Sequence, residues 1–230
     1  APVAAESAAA AAERRRSEKM PIWRSKETMN LPTVMYENIR RSAYFLNLVD
    51  TGTIYDDLVD EVCKEVRSLE PWVGNTRNPS TAWCLLYRFF TIRLTIRQIN
   101  AMARNRQSPF VRALALLYVR LCVPPERQWH YYKRSMNDDT EFRPRGKEHP
   151  AMTIGSYTKE LIRQNKYLKV MLPRIPVLLQ KEWLSRIDEH DKYGRFLDEG
   201  EEGSDGAGGG DDYYDGEDDG YGGGGGGGGG

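Results

Sequence analysis

Histidine and cysteine are scarce in this sequence, and long apolar runs are missing. Only His130, His149 and His190, and only Cys63, Cys84 and Cys122, occur in 230 residues. A structural zinc site needs four nitrogen or sulfur ligands, usually paired at short spacing, and no CxxC or HxxxH is present. Nucleophilic catalysis needs a histidine that an acid can orient. His130 lies in an aromatic segment, His149 in a polar loop and His190 near a helix end, so each reads as ordinary. Asp188, Glu189, His190 and Asp191 resemble a ligand run, but helix neighbours point about 100° apart and do not converge on one ion. Asp56, Asp57, Asp60 and Glu61 read as a charged helix start. Gly146-Lys147 lacks the upstream glycine and following hydroxyl of a phosphate loop. No catalytic residue, metal, cofactor or small-molecule substrate is therefore expected.

The three cysteines are odd in number and sit among apolar residues, which predicts reduced core side chains and no disulfide framework. No segment reaches the roughly 18 uncharged apolar residues that a membrane span needs. The N-terminal alanine run is followed by Glu13 and Arg14 and lacks the order of a signal peptide. No usable Asn-x-Ser/Thr acceptor occurs, since Asn78 precedes Pro79. A cytosolic or nuclear address is expected.

Charge looks balanced at 33 basic and 33 acidic residues, yet the halves differ. From Asp198 onward there are 11 acids and no base, leaving 22 acids against 33 bases before it. The body thus carries about +11 and the tail about −11. Glycine divides likewise, 17 of 22 residues falling after Asp198. Residues 198–230 read as a disordered acidic Gly-rich tail, because they cannot bury enough apolar surface to offset ordering entropy. Residues 1–19 read as a flexible N-terminal arm, and residues 20–197 as one globular domain of ordinary size.

Within that domain the apolar period is helical. Tyr55, Leu58, Val59, Val62, Val66 and Leu69 make one helix stripe. Thr53 and Asp56 are placed as a capping box, with Pro71 as the stop. Short helices are expected from Pro32 to Ile39 and Tyr44 to Val49. Thr81 to Phe90 and Phe110 to Leu121 are apolar nearly all round, which predicts two helices surrounded by protein. Between them, Thr95 can cap a half-exposed helix striped by Ile96, Ile99 and Ala103, and Ser108-Pro109 opens the second buried helix. A helix follows Pro124-Pro125 through Trp129, Tyr131 and Tyr132. Asn137 to Pro150 is a charged loop that can close a small β-hairpin near 141–154. Helix is expected again over Thr153 to Gln164, Tyr167 to Leu172 and the stripe Leu179, Trp183, Leu184, Ile187. The fold class is all-α: a single multi-helix globular domain with disordered termini.

Surface charge and aromatic surplus carry what functional signal remains. Trp72, Trp129, Tyr131, Tyr132 and Trp183 exceed what one core needs, and Trp72, Trp129 and Tyr132 are the candidate protein contacts. Arg93, Arg97, Arg104 and Arg106 cluster in sequence, and Arg143, Arg145 and Lys147 mark the loop. Arg97 and Arg104 are the candidate RNA contacts.

Several blocks carry a family resemblance. STAWCLLYRFFTIRLTIRQINAMARNRQSPFVRALALLYVR, Ser80 to Arg120, resembles the central block of the pre-mRNA-splicing factor 38 family, and Tyr36 to Trp72 resembles its N-terminal helices. PPERQW at Pro124 to Trp129, MTIG at Met152 to Gly155 and LPRIP at Leu172 to Pro176 follow in order, the last two closer to the B-type branch. The similarity covers Asn30 to Ile187. It implies a nuclear, non-catalytic scaffold that enters the spliceosome with the tri-snRNP or at the precatalytic stage and binds helical segments of other splicing proteins. The tail departs from the basic arginine-serine tails of many members, and Val73 to Pro79 lacks a longer insertion that some carry. A second reading has the basic body bind small nuclear RNA or pre-mRNA directly, with the acidic tail as a competing mimic.

Overall fold

The computed structural model describes residues 18–194. The expectations for the acidic tail, for most of the N-terminal arm and for residues 195–197 lie outside them. Nine α-helices occur among the described residues. They are α1 (Thr33–Arg41), α2 (Ala43–Asp50), α3 (Tyr55–Glu65), α4 (Thr81–Ile92), α5 (Ile96–Ala103), α6 (Pro109–Cys122), α7 (Pro125–Ser135), α8 (Ile154–Arg163) and α9 (Val177–Tyr193). Two antiparallel pairs of two-residue strands complete the architecture: β1 (Glu141–Phe142) with β2 (Met152–Thr153), and β3 (Lys166–Tyr167) with β4 (Val170–Met171). The all-α class holds, and the first hairpin falls where the loop was expected to close.

The centre is built from the two helices that are apolar on nearly every side. All residues of α6 from Val111 to Cys122 are buried, as are Ala82 to Tyr87, Phe89 and Phe90 of α4. At about 1.5–3 kcal/mol for each large apolar side chain withdrawn from water, this pair supplies much of the driving force. Around it, α2 and α3 pack on α4, α5 and α8 pack on α6, α7 bridges α6 and α8, and α9 covers α8 and α7. Arg120, towards the end of α6, is with Arg112 one of two charged residues buried in that helix. It is fully buried, its Nε donates to Leu161 O at 2.9 Å and its Nη1 donates to Pro173 O. Burial lowers its pKa. Its donors tie the central helix to the end of α8 and to the segment before α9.

Local signals fix several helix starts. Thr95 Oγ1 accepts from Gln98 N at 3.1 Å while Gln98 Oε1 accepts from Thr95 N at 2.9 Å, a reciprocal box at the start of α5. Ser108 Oγ accepts from Phe110 N at 3.2 Å. Pro109 occupies the first position of α6, where its missing N–H costs nothing. Thr153 Oγ1 caps α8 through Ser156 N at 3.0 Å.

Four expectations need correction. Helix α3 starts after Ile54, whose N–H reaches Asp57 Oδ2 at 3.3 Å; Thr53 instead donates to Leu48 O at 3.0 Å and closes the α2–α3 turn. That helix also ends at Glu65, well before Pro71. Arg67 folds back and donates to Cys63 O at 3.1 Å and Lys64 O at 2.7 Å, satisfying carbonyls that a helix end leaves open. Leu69 N bonds Pro144 O at 2.6 Å. Val66 and Leu69 keep their place in the core from an extended chain. Tyr167 to Leu172 is the β3–β4 hairpin, not a helix. A segment this short before Pro173 gains too little from one helical turn. Leu168 at φ 51° instead reverses the chain and buries both Tyr167 and Val170. Glu18 and Lys19, assigned to the arm, are docked: Ile96 N bonds Glu18 O at 3.0 Å and Met20 N bonds Leu94 O at 2.9 Å.

Candidate functional site

The α5–α6–α7 junction forms a cleft of about 430 Å³. Its walls carry Asn100 and Arg104 from the α5 end, Arg112 from α6, His130 and Arg134 from α7, and Asp138 from the following turn. Among the described residues, three guanidiniums against one carboxylate make it basic. Arg112 is buried at 8% exposure, bonds Asn105 O and places its Nε 3.0 Å from Asp138 Oδ2, so it forms the floor. Arg104 and Arg134 are exposed at the rim. Arg97 lies two helical turns before Arg104, on the same side of α5, and Arg127 two turns before Arg134 on α7. The cleft is thus edged by exposed guanidiniums on two neighbouring helices, an arrangement suited to carboxylates or phosphates.

An aromatic cluster joins α7 to α9. Trp129 stacks on Trp183 with centroids 5.9 Å apart and planes at 25°, and Tyr132 meets Trp183 edge-on at 5.8 Å. Both arrangements let ring edges and faces of opposite charge meet. The Arg186 guanidinium sits 5.3 Å over the Trp129 ring, a cation held by the negative face of the indole. Trp129 is half-buried, but Tyr132 has 0% exposure. The Tyr132 hydroxyl donates to Gln128 Oε1 at 3.1 Å, Gln128 in turn holds Val123 O at 2.7 Å, and burial raises the phenol pKa. Tyr132 consequently offers no surface to a partner; it packs α7 against α9. Trp72 is half-buried on a separate stretch of chain, where the Trp72–Pro79 bridge closes a turn that exposes Val73.

The remaining candidates separate by role. Arg93 adopts φ 60°, donates to Lys26 O at 2.7 Å and covers Phe90, so it closes the α4 end. Arg143 holds Lys147 O and His149 O, and Arg145 pairs with Glu70 at 2.8 Å, which ties the loop to the body. Asp191 accepts from Lys159 and from Arg163, the latter at 2.8 Å. Burial alone would raise its pKa, but those two cations hold it below the usual carboxylate range. The Asp188–Asp191 run is therefore an ion-pair cluster, and among the described residues no group of three or more histidine, cysteine or carboxylate side chains converges as a metal site. Cys84 and Cys122 are buried thiols with pKa raised by burial, Cys84 to about 11. No described helix is long and apolar enough to cross a membrane.

Sequence reasoning found Arg104 but missed Arg112, Arg134, His130 and Asp138 as its neighbours. The available signal was four-residue spacing: Asn100 with Arg104, and His130 with Arg134, each share a helix face. It could not show that those two faces meet.

The described body is a packed, mostly helical domain whose surface includes a basic cleft and half-buried tryptophans. Comparison with known proteins identifies its family. The PRP38 family profile matches residues 20–184, and the chain belongs to that family. It is 37% identical over 160 residues to pre-mRNA splicing factor SR-like 1 of Arabidopsis thaliana, covering 69% of this chain and 40% of that protein. It is 31% identical over 182 residues to pre-mRNA-splicing factor 38B of Homo sapiens, covering 70% of this chain and 33% of that protein. The chain thus spans about a third to two fifths of these curated relatives. A chain from the crystal structure of the Snu23-Prp38-MFAP1 complex of Chaetomium thermophilum superposes with a TM-score of 0.63 at 19% identity, covering 75% of this chain and 88% of that one, so the two share a fold.

Proposed function

We propose that this chain is a non-catalytic, protein-binding subunit of the spliceosome, working in the nucleus at the tri-snRNP or precatalytic stage of pre-mRNA splicing. The observation that carries this reading is the family match over residues 20–184, nearly the whole described body, joined to relatives named as pre-mRNA splicing factors. The neighbour of like fold comes from a complex with Snu23 and MFAP1, which supports partners that are themselves splicing proteins. Helical segments suit this body, because Trp129 on α7 and Trp72 in the α3–α4 connection lie half-buried at its surface. Trp72, with exposed Val73 beside it, and Trp129 are the proposed anchors.

The test is to add the tagged chain to splicing extract with labelled pre-mRNA and follow both through a glycerol gradient. Co-migration with complexes assembled before the first chemical step is expected, and Trp72→Ala with Trp129→Ala should weaken it while helical content is kept. Migration of the native chain only as free protein would contradict the proposal.

A further inference from the structure

We propose that the α5–α6–α7 cleft is an acidic-peptide site whose occupant is this chain's own segment Asp211–Asp219, held there until a partner or ligand displaces it. Among the described residues, the cleft is lined by Arg104, Arg112 and Arg134 and by one carboxylate, Asp138, which Arg112 contacts. The segment DDYYDGEDD supplies six carboxylates and two tyrosines within nine residues, and the excess of 11 bases in the body is matched by 11 acids after Asp198. Carboxylates pair with guanidiniums in a planar, two-pronged geometry, and tyrosine rings stack on guanidinium faces.

Geometry sets the reach. His190 Nε2 lies 2.6 Å from Asn137 Oδ1, so the end of α9 is pinned to the residue next to Asp138 in the cleft wall. The chain therefore leaves the body beside the cleft. Sixteen residues separate Gly194 from Asp211. A chain of that length extends to at most about 60 Å, far more than the crossing requires. A tethered segment acts at an effective concentration on the order of 1 mM, so a contact with a Kd of about 0.1 mM would be closed about ten times more often than open. Such a contact is self-limiting: it screens the basic face against weak anionic ligands and yields to a stronger one. This inference does not depend on the identity of the spliceosomal partner.

The probe is a fluorescein-labelled peptide of residues 209–221, read by anisotropy against four forms of the full chain. In the first, Asp211→Asn, Asp212→Asn, Asp215→Asn, Glu217→Gln, Asp218→Asn and Asp219→Asn neutralise the internal segment. The second is the native chain, and the third adds Arg104→Glu and Arg134→Glu to the first. The neutralised chain should bind the peptide, the native chain about tenfold more weakly, and the charge-reversed chain not measurably. Reversing two distant exposed arginines instead, Arg41→Glu and Arg77→Glu, should change binding by less than about twofold. Equal binding by native and neutralised chains would overturn the proposal, as would equal loss in both reversed chains, which would mean net charge and not the cleft holds the peptide. A single-stranded RNA that binds at Arg104 and Arg134 while the peptide does not would assign the cleft to nucleic acid and also overturn it.

Discussion

Replacing Gly155 by alanine sets two effects of opposite sign against each other. Gly155 lies in the first turn of α8, and alanine there gains about 1 kcal/mol of helix propensity. Against this, a Cβ built on Gly155 falls inside van der Waals contact of Met136 O and 3.1 Å from Met136 C, both backbone atoms just past α7. Relief requires α8 to move by about 1 Å from the α7 end, overpacking of a kind that costs about 1–3 kcal/mol and sometimes more. The same shift stretches Gly155 N to Asp138 O at 2.9 Å and Ile154 N to Thr140 O at 3.1 Å. Each of those bonds is worth about 1 kcal/mol. The net expectation is a loss of about 1–3 kcal/mol. For a domain of this size that lowers the thermal midpoint by roughly 5 °C in a circular-dichroism melt. An unchanged or raised midpoint would refute the close approach of α7 and α8 and, with it, the geometry of the cleft wall.

Arg120→Met keeps much of the volume of the buried stem but leaves Leu161 O and Pro173 O without their donor. It should cost about 2–4 kcal/mol in urea denaturation. An unaltered midpoint would mean those carbonyls find water or other donors. His190 supplies a pH test. Burial first, and the Lys159 ammonium 3.2 Å from Nδ1 second, lower its pKa below 6.5, with Asp191 opposing. A histidine with a depressed folded pKa contributes fully above its unfolded value and loses that contribution as pH falls through the folded value. Native protein should therefore lose stability between about pH 7 and pH 5, and His190→Gln should lose less; identical slopes would contradict the assignment.

What the sequence disclosed and what it hid have separate physical causes. Helix starts were legible wherever a cap is local, as at Thr95 with Gln98, Ser108 with Pro109, and Thr153, since donor and acceptor lie within three residues. The two buried helices were legible because nothing else explains segments apolar all round. The end of α3 was not, because Val66 and Leu69 fill the same core from an extended chain once Arg67 has capped the carbonyls. The β3–β4 hairpin was hidden by its length and by a leucine at positive φ. Tyr132 looked like a surface anchor because α7 carries more aromatics than one face needs, but α9 arrives to bury it through Trp183. The cleft joins residues of α5, α6 and α7, and periodicity within one helix says nothing about which faces meet.

The central claim, that this chain works by holding other splicing proteins, is tested most directly by purifying the tagged chain from nuclear extract with and without ribonuclease. Splicing proteins that stay bound after ribonuclease treatment are the predicted result. Their loss, with RNA crosslinked to Arg97 and Arg104, would contradict the scaffold and make RNA binding the primary activity.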